Sequence, residues 1–198
     1  GYIKPHTNQN QAIFTQAYQG GLSFYVSLTA QGNLITNSWS YYNAGGDWGA
    51  GATDTTPIEP DIWTHFTVTY NDGTYKIYIN GELSSTAVGG VAMAPENNWS
   101  SYASHIGGNA GAYTAGQEDS PFDGLMDNFS MWYRELSEEE VLDNLLGIDI
   151  DLEDSDLIGY WAFNDSPGID LIDSGSYENN GSIIGPTWDE EEPYFGPT

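Results

Sequence analysis

Near the end of the chain, a turn-rich loop places oxygen-bearing side chains at a spacing that could hold a cation. The segment DSGSYENNG, residues 173–181, offers the carboxylate of Asp173, the amide oxygen of Asn180 and the carbonyls of its turns. Calcium takes roughly six to eight such oxygens, often from a loop of this kind. We therefore predict a Ca²⁺ site that includes Asp173 and Asn180. The alternative is that both side chains bond the backbone of the loop and only fix its shape.

A second group of residues could recognise a sugar. Asp47 and Trp48 lie in the glycine-rich stretch GGDWGAG, and Asn98, Trp99 and Tyr102 lie in ENNWSSYASH. An aromatic face can stack on a sugar ring, while nearby amides and carboxylates bond its hydroxyls. We predict these five residues as candidate ligand contacts. They could instead fold back as anchors of their own loops.

Catalytic chemistry has weaker support. A retaining glycosidase needs two carboxylates that face one cleft about 5 Å apart. The adjacent Glu138, Glu139 and Glu140 read as the first turn of a helix, where their side chains do not converge. With three His and no Cys, a catalytic zinc site is disfavoured too. We expect a protein that is not an enzyme.

The balance of charge restricts the partners. Against 29 acidic residues, the 198-residue chain carries three fixed cations, Lys4, Lys76 and Arg134, and its formal net charge is -26. This charge repels nucleic acid and anionic membranes, so we expect no nucleic-acid partner and no membrane insertion. The excess of acid fits solubility in a saline or extracellular setting, and it also fits the binding of cations. Arg134 is expected to pair with carboxylates beside the start of the helix, such as Glu138 or Glu139.

The elements that must position these groups are mostly strands, because apolar and polar residues alternate along much of the chain. Asp72-Gly73 and Asn80-Gly81 supply the positive φ that tight hairpin turns require. Strands are predicted at Leu22–Leu28, Asn33–Tyr42, Thr64–Tyr70, Thr74–Asn80, Ser104–Ile106, Leu125–Tyr133 and Ile158–Phe163. One short helix is predicted at about Ser137–Leu146, since Ser137 and Glu140 have the spacing of a capping box.

The order of these elements resembles a known family. WTHFTVTYNDGTYKIYING is followed by SHIGG and then by FDGLMDNFSMWYRELSEEEV, an order similar to that of the laminin-G-like, pentraxin-like branch of the concanavalin A-like jelly rolls. The residues that carry the resemblance are Trp63, His65, Tyr78, Asn80, Gly81, Ile106, Gly107, Phe122, Gly124, Asp127, Arg134, Leu136, Ser137 and Glu140. The resemblance implies an all-β fold, an antiparallel two-sheet jelly-roll sandwich with one short helix.

The same resemblance bears on the site. In the family, loops like residues 173–181 lie beside the strand that carries the Gly-x-x-Asp motif, which would add Asp127 and Asp123 to the calcium ligands. Laminarinase-like enzymes of the superfamily carry a Glu-x-Asp-x-x-Glu strand, and this sequence has no such motif. The resemblance therefore favours a binding protein over a hydrolase.

The pieces of the family pattern stand in an unusual order. A loop similar to DSGSYENNG belongs near the start of the family's domain, but here it follows Ile158, and the strand that should come after it resembles GYIKP at residues 1–5. The C-terminal hairpin could close its own sandwich as a circular permutation, start a following repeat, or complete a neighbouring copy. We expect one sandwich over residues 1–188, permuted so that 158–184 supply the first strands, and an acidic linker or tail at 189–198.

These observations lead to one functional hypothesis and one alternative. We expect a non-catalytic lectin-like or adhesive module, stabilised by calcium, that binds a glycan or a cell-surface protein. Its expected location is extracellular or at the cell surface of a bacterium. The alternative is a structural repeat or self-assembling subunit of a surface fibre or virion, whose partners are copies of itself joined head-to-tail by strand exchange.

Overall fold

The structure, a computed structural model, describes residues 1–18, 21–40, 47–48, 51–89, 104–108, 121–148, 150–165 and 167–193. The strands are β1 (Tyr2–Pro5), β2 (Gln11–Tyr18), β3 (Gly21–Leu28), β4 (Leu34–Ser40), β5 (Asp47–Trp48), β6 (Ala52–Thr53), β7 (Thr64–Asn71), β8 (Thr74–Ile79), β9 (Glu82–Val88), β10 (Ser104–Ile106), β11 (Gly124–Asp127), β12 (Phe129–Trp132), β13 (Leu157–Trp161), β14 (Asp170–Leu171) and β15 (Gly181–Ser182). Helix α1 (Glu138–Leu145) lies between β12 and β13 in the chain. Within these ranges, no helix has the length and apolar character needed to cross a membrane.

Two antiparallel sheets form a sandwich. One sheet has the order β11-β1-β7-β8-β9, and the other has the order β10-β2-β3-β4-β5, with β6 also paired to β4. The pairs β12-β13 and β14-β15 are separate two-stranded ladders. The predicted fold class, an all-β antiparallel two-sheet jelly-roll sandwich with a short helix, is confirmed.

The core lies between the sheets because each strand turns alternate side chains inward. On β8, Tyr75 and Ile77 are fully buried. The main cluster draws on both sheets and on β12 and β13, and its members include Ile3, Phe14, Leu28, Phe66, Phe129 and Trp161. The ring of Phe129 stacks on Phe14 with centroids 5.8 Å apart. The strand pair β12-β13 therefore contributes to the same core as the two large sheets.

The hairpin turns on either side of β8 form as predicted. Asp72 and Gly73 have φ of 43° and 79°, and Asn80 and Gly81 have φ of 49° and 80°. Because Asn, Asp and Gly tolerate this left-handed region, the two turns match the twist of the strands that they join. The β7-β8-β9 meander thus follows from local sequence.

The predicted strand Leu125–Tyr133 is wrong in one respect, since the structure breaks it at Asn128. Asn128 has φ of 50°, which ends β11 and starts β12 in another direction. The carboxylate of Asp127 accepts the Asn128 backbone amide at 2.9 Å and its side-chain amide at 3.2 Å. These bonds compensate the left-handed backbone and allow β12 to leave the large sheet and pair with β13.

Helix α1 begins as its sequence predicts. The Ser137 hydroxyl accepts the Glu140 amide at 3.2 Å, and the Glu140 carboxylate accepts the Ser137 amide at 2.8 Å. This capping box satisfies two amides that the first turn leaves without helical partners. The helix ends at Leu145, with Leu146 as its C-cap and Gly147 at φ of 64°.

The C-terminal hairpin joins the sandwich of its own chain. Strand β13 pairs with β12 and places Trp161 opposite Phe129, with ring centroids 6.4 Å apart. At the other end of the chain, β1 lies between β11 and β7. The two pieces whose order differs from the family pattern therefore occur in one folded unit. The permutation itself stays an interpretation.

The start of the acidic tail contacts the sandwich. Glu191 accepts a hydrogen bond from the Lys4 ammonium at 2.6 Å and one from the Trp63 indole at 3.1 Å. Trp188, just before the tail, donates its indole N–H to the Gly168 carbonyl at 2.8 Å. Glu191 thus ties the start of the tail to Lys4 of β1, and the role of the tail as a linker stays a prediction.

Candidate functional site

The loop predicted to bind calcium is held together by its own hydrogen bonds. Asp173 is buried, and its Oδ1 accepts the backbone amides of Tyr160 and Gly175, both at 2.8 Å. Its Oδ2 accepts the amide of Asn179 at 2.8 Å, while Asn180 Oδ1 accepts the amide of Asp173 at 2.9 Å. The carboxylate and the amide oxygen therefore bond the backbone, which is the loop-fixing role that the sequence left open as an alternative.

The other two predicted calcium ligands lie apart from each other. Asp127 ends β11 opposite Tyr2, whereas Asp123 precedes β11 and contacts His6 Nδ1 and Thr7 Oγ1, both at 3.3 Å. The residues that the structure describes contain no group of three or more His, Asp or Glu side chains placed to hold a metal ion. Asp173, Asn180, Asp127 and Asp123 do not form a single coordination sphere in this arrangement, and calcium binding stays a prediction.

Asp127 has an unusual environment for a carboxylate. Burial raises its pKa from 3.8 to about 6, the negative charge of Glu192 adds to the rise, and the amide of Asn128 opposes it. The Tyr160 hydroxyl lies nearby and donates to Asn128 Oδ1 at 2.6 Å. Asp127 therefore belongs to a partly buried polar cluster at the end of β11.

The predicted sugar contacts fall at one edge of a sheet or outside the described residues. Asp47 and Trp48 form β5, the edge strand that pairs Trp48 with Trp39 and Asp47 with Ser40 on β4. Asn98, Trp99 and Tyr102 lie outside the described residues. The role of all five residues in ligand binding stays a prediction.

The structure brings together an exposed aromatic pair that the sequence analysis did not identify. Tyr133, just after β12, and Tyr177, in the loop fixed by Asp173, have ring centroids 6.3 Å apart and meet edge to face at 76°. The two residues remain 70% and 49% exposed, respectively. The Tyr177 hydroxyl donates to the Ser155 carbonyl at 3.0 Å, which fixes the direction of its ring.

Ionic contacts hold the segment on which Tyr177 rests. Arg134 bonds Glu140 at 2.7 Å and Asp154 at 3.1 Å, and its Nε lies 3.6 Å from Asp156. The expected pairing with a carboxylate beside the helix start forms through Glu140 and not through Glu138 or Glu139, because the capping box turns Glu140 toward Arg134. The later acidic segment supplies the other carboxylates. The Arg134 guanidinium lowers the pKa of Glu140 to about 2. Residues 154–156 are thereby fixed against the start of the helix.

The Tyr133–Tyr177 surface is thus built by three segments of the chain. The turn after β12 supplies Tyr133, the 173–180 loop supplies Tyr177, and the acidic segment between them supplies Ser155 and Asp156. The Asp156 carbonyl accepts the Tyr133 amide at 2.8 Å, which ties the first of these segments to the second. A tyrosine in a stretch as polar as GSYENN has no local apolar partner, and this was the signal in the sequence that could have identified it.

A family model places the chain in a known superfamily. The family model that matches it is a laminin G model described as the concanavalin A-like lectin/glucanases superfamily, and the match spans residues 2–142. The chain belongs to this superfamily. Strands β13, β14 and β15 lie beyond the matched residues. None of the curated protein sequences compared with the chain matches it.

Solved structures that are similar to this chain come from several organisms. A Bacteroides ovatus protein with a provisional assignment as a carbohydrate-binding protein aligns at a TM-score of 0.71 and 20% identity, over 98% of this chain and 54% of its own. This chain thus spans about half of that protein's length. The heptameric SAP-like pentraxin of Limulus polyphemus gives a TM-score of 0.48 at 19% identity, over 71% of this chain and 65% of its own. The CBM40 module of the Ruminococcus gnavus IT-sialidase, bound to α2,3-sialyllactose, gives a TM-score of 0.47 at 16% identity, over 71% of this chain and 77% of its own.

Proposed function

We propose that this chain is a non-catalytic carbohydrate-binding module and that Tyr133 and Tyr177 form its sugar-stacking surface. The observation that carries the proposal is the exposed pair of rings, held at a fixed angle by contacts from three segments. Exposed apolar surface of this kind, surrounded by polar groups, is typical of a binding surface. Tyrosine suits the role because its ring is amphipathic and loses little conformational entropy on binding.

The charge of the chain narrows the class of glycan. With a formal net charge of -26 and the Asp154–Asp156 segment beside the rings, the surface repels sialylated and sulfated sugars. Neutral sugars face no such repulsion, and their hydroxyls can donate to the carboxylates of the acidic segment. We therefore assign neutral glycans as the ligand.

The ionisation of the carboxylates held by Arg134 supports a binding role over hydrolysis. A glycosidase needs one carboxyl group with a raised pKa to protonate the leaving oxygen. Hydrogen bonds from Arg134, which follows Tyr133 in the chain, and from Ser137 lower the pKa of Glu140 to about 2, and those from the Asp156 amide and Arg134 lower the pKa of Asp154. These groups stay ionised and accept hydrogen bonds, which suits binding and not acid catalysis.

An array of neutral plant, fungal and bacterial glycans tests the proposal directly. We expect retention of at least one neutral glycan, and we expect Tyr133→Ala to weaken binding by about tenfold, corresponding to the loss of one stacked ring. Tyr133→Phe keeps the ring and should keep the affinity. The matched control is Ile169→Ala, a 72% exposed residue outside the tyrosine pair. Equal affinity of Tyr133→Ala and the unaltered chain would contradict the assignment.

The same proposal includes a location outside the cell at a bacterial surface and stabilisation by calcium. The high acidic charge supports both, because cations in the medium screen the repulsion among the carboxylates. A chain without Cys also needs no oxidative folding step in such a setting. A cell-surface protein as partner would use the same exposed rings.

Self-association is a second candidate, favoured by three isoleucines near the β14-β15 hairpin. Ile169, Ile172 and Ile184 are 72%, 42% and 87% exposed, and the Ile183 amide bonds the Ile169 carbonyl, which brings the ends of the hairpin together. Sedimentation at increasing concentration tests this role. A ladder of oligomers that Ile184→Asp abolishes would support it, and a monomer throughout would exclude it.

A further inference from the structure

A groove separates strand β8 from the segment that leads into helix α1. Its volume is about 350 Å³. The alternation of β8 explains its first wall, because Tyr75 and Ile77 point into the core and Lys76 and Tyr78 therefore face the opposite side of the sheet. The second wall includes Glu135 and Glu138. This groove is distinct from the Tyr133–Tyr177 surface.

Tyr78 lines this groove and carries a buried polar atom without a partner. The residue is 1% exposed, and its side chain packs with Leu136 and Val141. Its hydroxyl makes no hydrogen bond in the structure. Phenylalanine would fill the same space and avoid the penalty of a buried, unbonded hydroxyl. Burial raises the pKa of Tyr78, with Lys76 opposing the rise and Glu138 adding to it, so the hydroxyl stays protonated and can donate.

The charged groups of the groove are fixed before any ligand arrives. Glu135 accepts the Lys76 ammonium at 2.8 Å and the Asn71 amide at 2.9 Å, and Thr69 lies at 3.5 Å. The ammonium has three donor hydrogens, so it can still bond a ligand while it holds Glu135. A site whose polar groups are held in place loses less entropy when it binds.

The chemistry of the walls excludes several classes of ligand. An anion would meet Glu135, Glu138 and Glu140 against one lysine that is already paired. A divalent cation would compete with the Lys76 ammonium for Glu135 and with Arg134 for Glu140. A purely apolar ligand would leave the Tyr78 hydroxyl unbonded. A neutral ligand that carries several hydroxyl groups meets none of these penalties.

We propose that this groove is a second sugar subsite, in which a hydroxyl of a neutral sugar unit accepts from the Tyr78 hydroxyl, a second bonds the Lys76 ammonium and a third donates to Glu138. The assignment rests on the proposed function for its ligand class, but it uses other residues. It explains why β8 carries tyrosine at a position where phenylalanine would be more stable in the free protein.

Amide NMR of the whole chain, titrated with methyl glucoside, methyl galactoside, methyl mannoside and the free disaccharides cellobiose and maltose, tests the groove. We expect at least one probe to shift the signals of Tyr78 and of residues 135–140. Tyr78→Phe should weaken that binding about fivefold, the effect of one neutral hydrogen bond, and should leave the melting temperature unchanged or raised. The matched control is Tyr75→Phe on the same strand, whose hydroxyl donates to Ser38. This control should lower the melting temperature and keep the affinity.

The outcomes separate the two assignments. If every probe leaves the groove signals unmoved, or if Tyr78→Phe binds as well as the unaltered chain, the subsite is wrong. Shifts confined to Tyr133 and Tyr177 would overturn the subsite and retain the proposed function. Shifts in the groove that persist in Tyr133→Ala, together with an unaffected glycan array, would retain the subsite and overturn the stacking surface.

Discussion

The carboxylate of Asp173 accepts the backbone amide of Tyr160 at 2.8 Å and so fastens the 173–180 loop to strand β13. Its other bonds, to the amides of Gly175 and Asn179, set the path of the loop itself. Tyr177 projects from that path toward Tyr133. One buried side chain therefore supports both the closing strand of the sandwich and the position of an exposed ring.

Replacing the Asp173 carboxylate should lower the stability of the fold. Asp173→Ala leaves three backbone amides without their acceptor, and we expect a loss of about 3 kcal/mol in the free energy of unfolding. Urea denaturation at neutral pH measures it. Asp170→Ala, at an exposed position in β14, is the matched control and should change stability by about 0.5 kcal/mol or less. Similar losses in the two variants would contradict the role of Asp173.

The predicted calcium site can be tested on the same loop. If Asp173 and Asn180 bind Ca²⁺, a calcium concentration about a hundredfold above the dissociation constant should add about 2.7 kcal/mol to the unfolding free energy. Thermal melts in EDTA and in calcium measure the shift, and Asn180→Ala should reduce it. An identical melting temperature in the two buffers would exclude the site and leave the loop-fixing bonds as the whole role of these residues.

Arg134 should make stability depend on acid pH. Mainly through the hydrogen bond from Arg134, the pKa of Glu140 is lowered from 4.5 to about 2 in the folded chain, so this stabilisation is complete above pH 4.5 and is lost as the pH falls toward 2. Arg134→Met should therefore be less stable than the unaltered chain at pH 6 and equal to it near pH 2. Because the pair is partly exposed, we expect a difference of about 1 kcal/mol. A deficit that stays constant from pH 6 to pH 2 would instead indicate lost packing of the guanidinium on Trp132, which lies 5.1 Å away.

Asp127 should make the stability of the fold fall as the pH rises, which is the opposite of the effect of the Arg134–Glu140 pair. Burial raises its pKa from 3.8 to about 6, so the folded chain holds a proton that the unfolded chain releases, and stability falls as the pH rises between these values. Asp127→Asn removes the ionisation and should be more stable than the unaltered chain at pH 8, by about 1 kcal/mol after allowance for partial exposure. At pH 3.5 the two should differ little. Urea denaturation at both pH values measures the difference in stability between the variant and the unaltered chain. A variant that is less stable than the unaltered chain at pH 8 would contradict the prediction.

Features that depend on near neighbours could be predicted from the sequence. The positive φ of Asn80 and Gly81 and the capping box of Ser137 and Glu140 involve residues a few positions apart, and the structure contains both. The sandwich was predictable for a related reason, since alternation along each strand requires two apolar faces to meet.

Features that depend on distant residues could not be predicted in the same way. Tyr133 meets Tyr177 only because β12 pairs with β13, and alternation contains no information about which strands pair. Arg134 contacts Asp154 and Asp156 because of the path of the acidic segment, whereas the sequence pointed only to carboxylates beside the helix start, such as Glu138 or Glu139. The break at Asn128 was missed because one left-handed residue leaves the apolar pattern of its strand almost unchanged.

The placement of β1 and β13 determines when the chain can fold during synthesis. β1 has Tyr2 opposite His65 on one side and Asp127 on the other, and Phe129 meets Trp161 still later in the chain. Contacts between such distant residues form slowly, and a ribosome that has made only the residues up to 142 presents a β12 strand without its partner. A piece that ends where the family match ends would lack that partner. To keep the core and the side chains packed against it, an expressed piece must extend past Trp161 and Leu171 to Trp188.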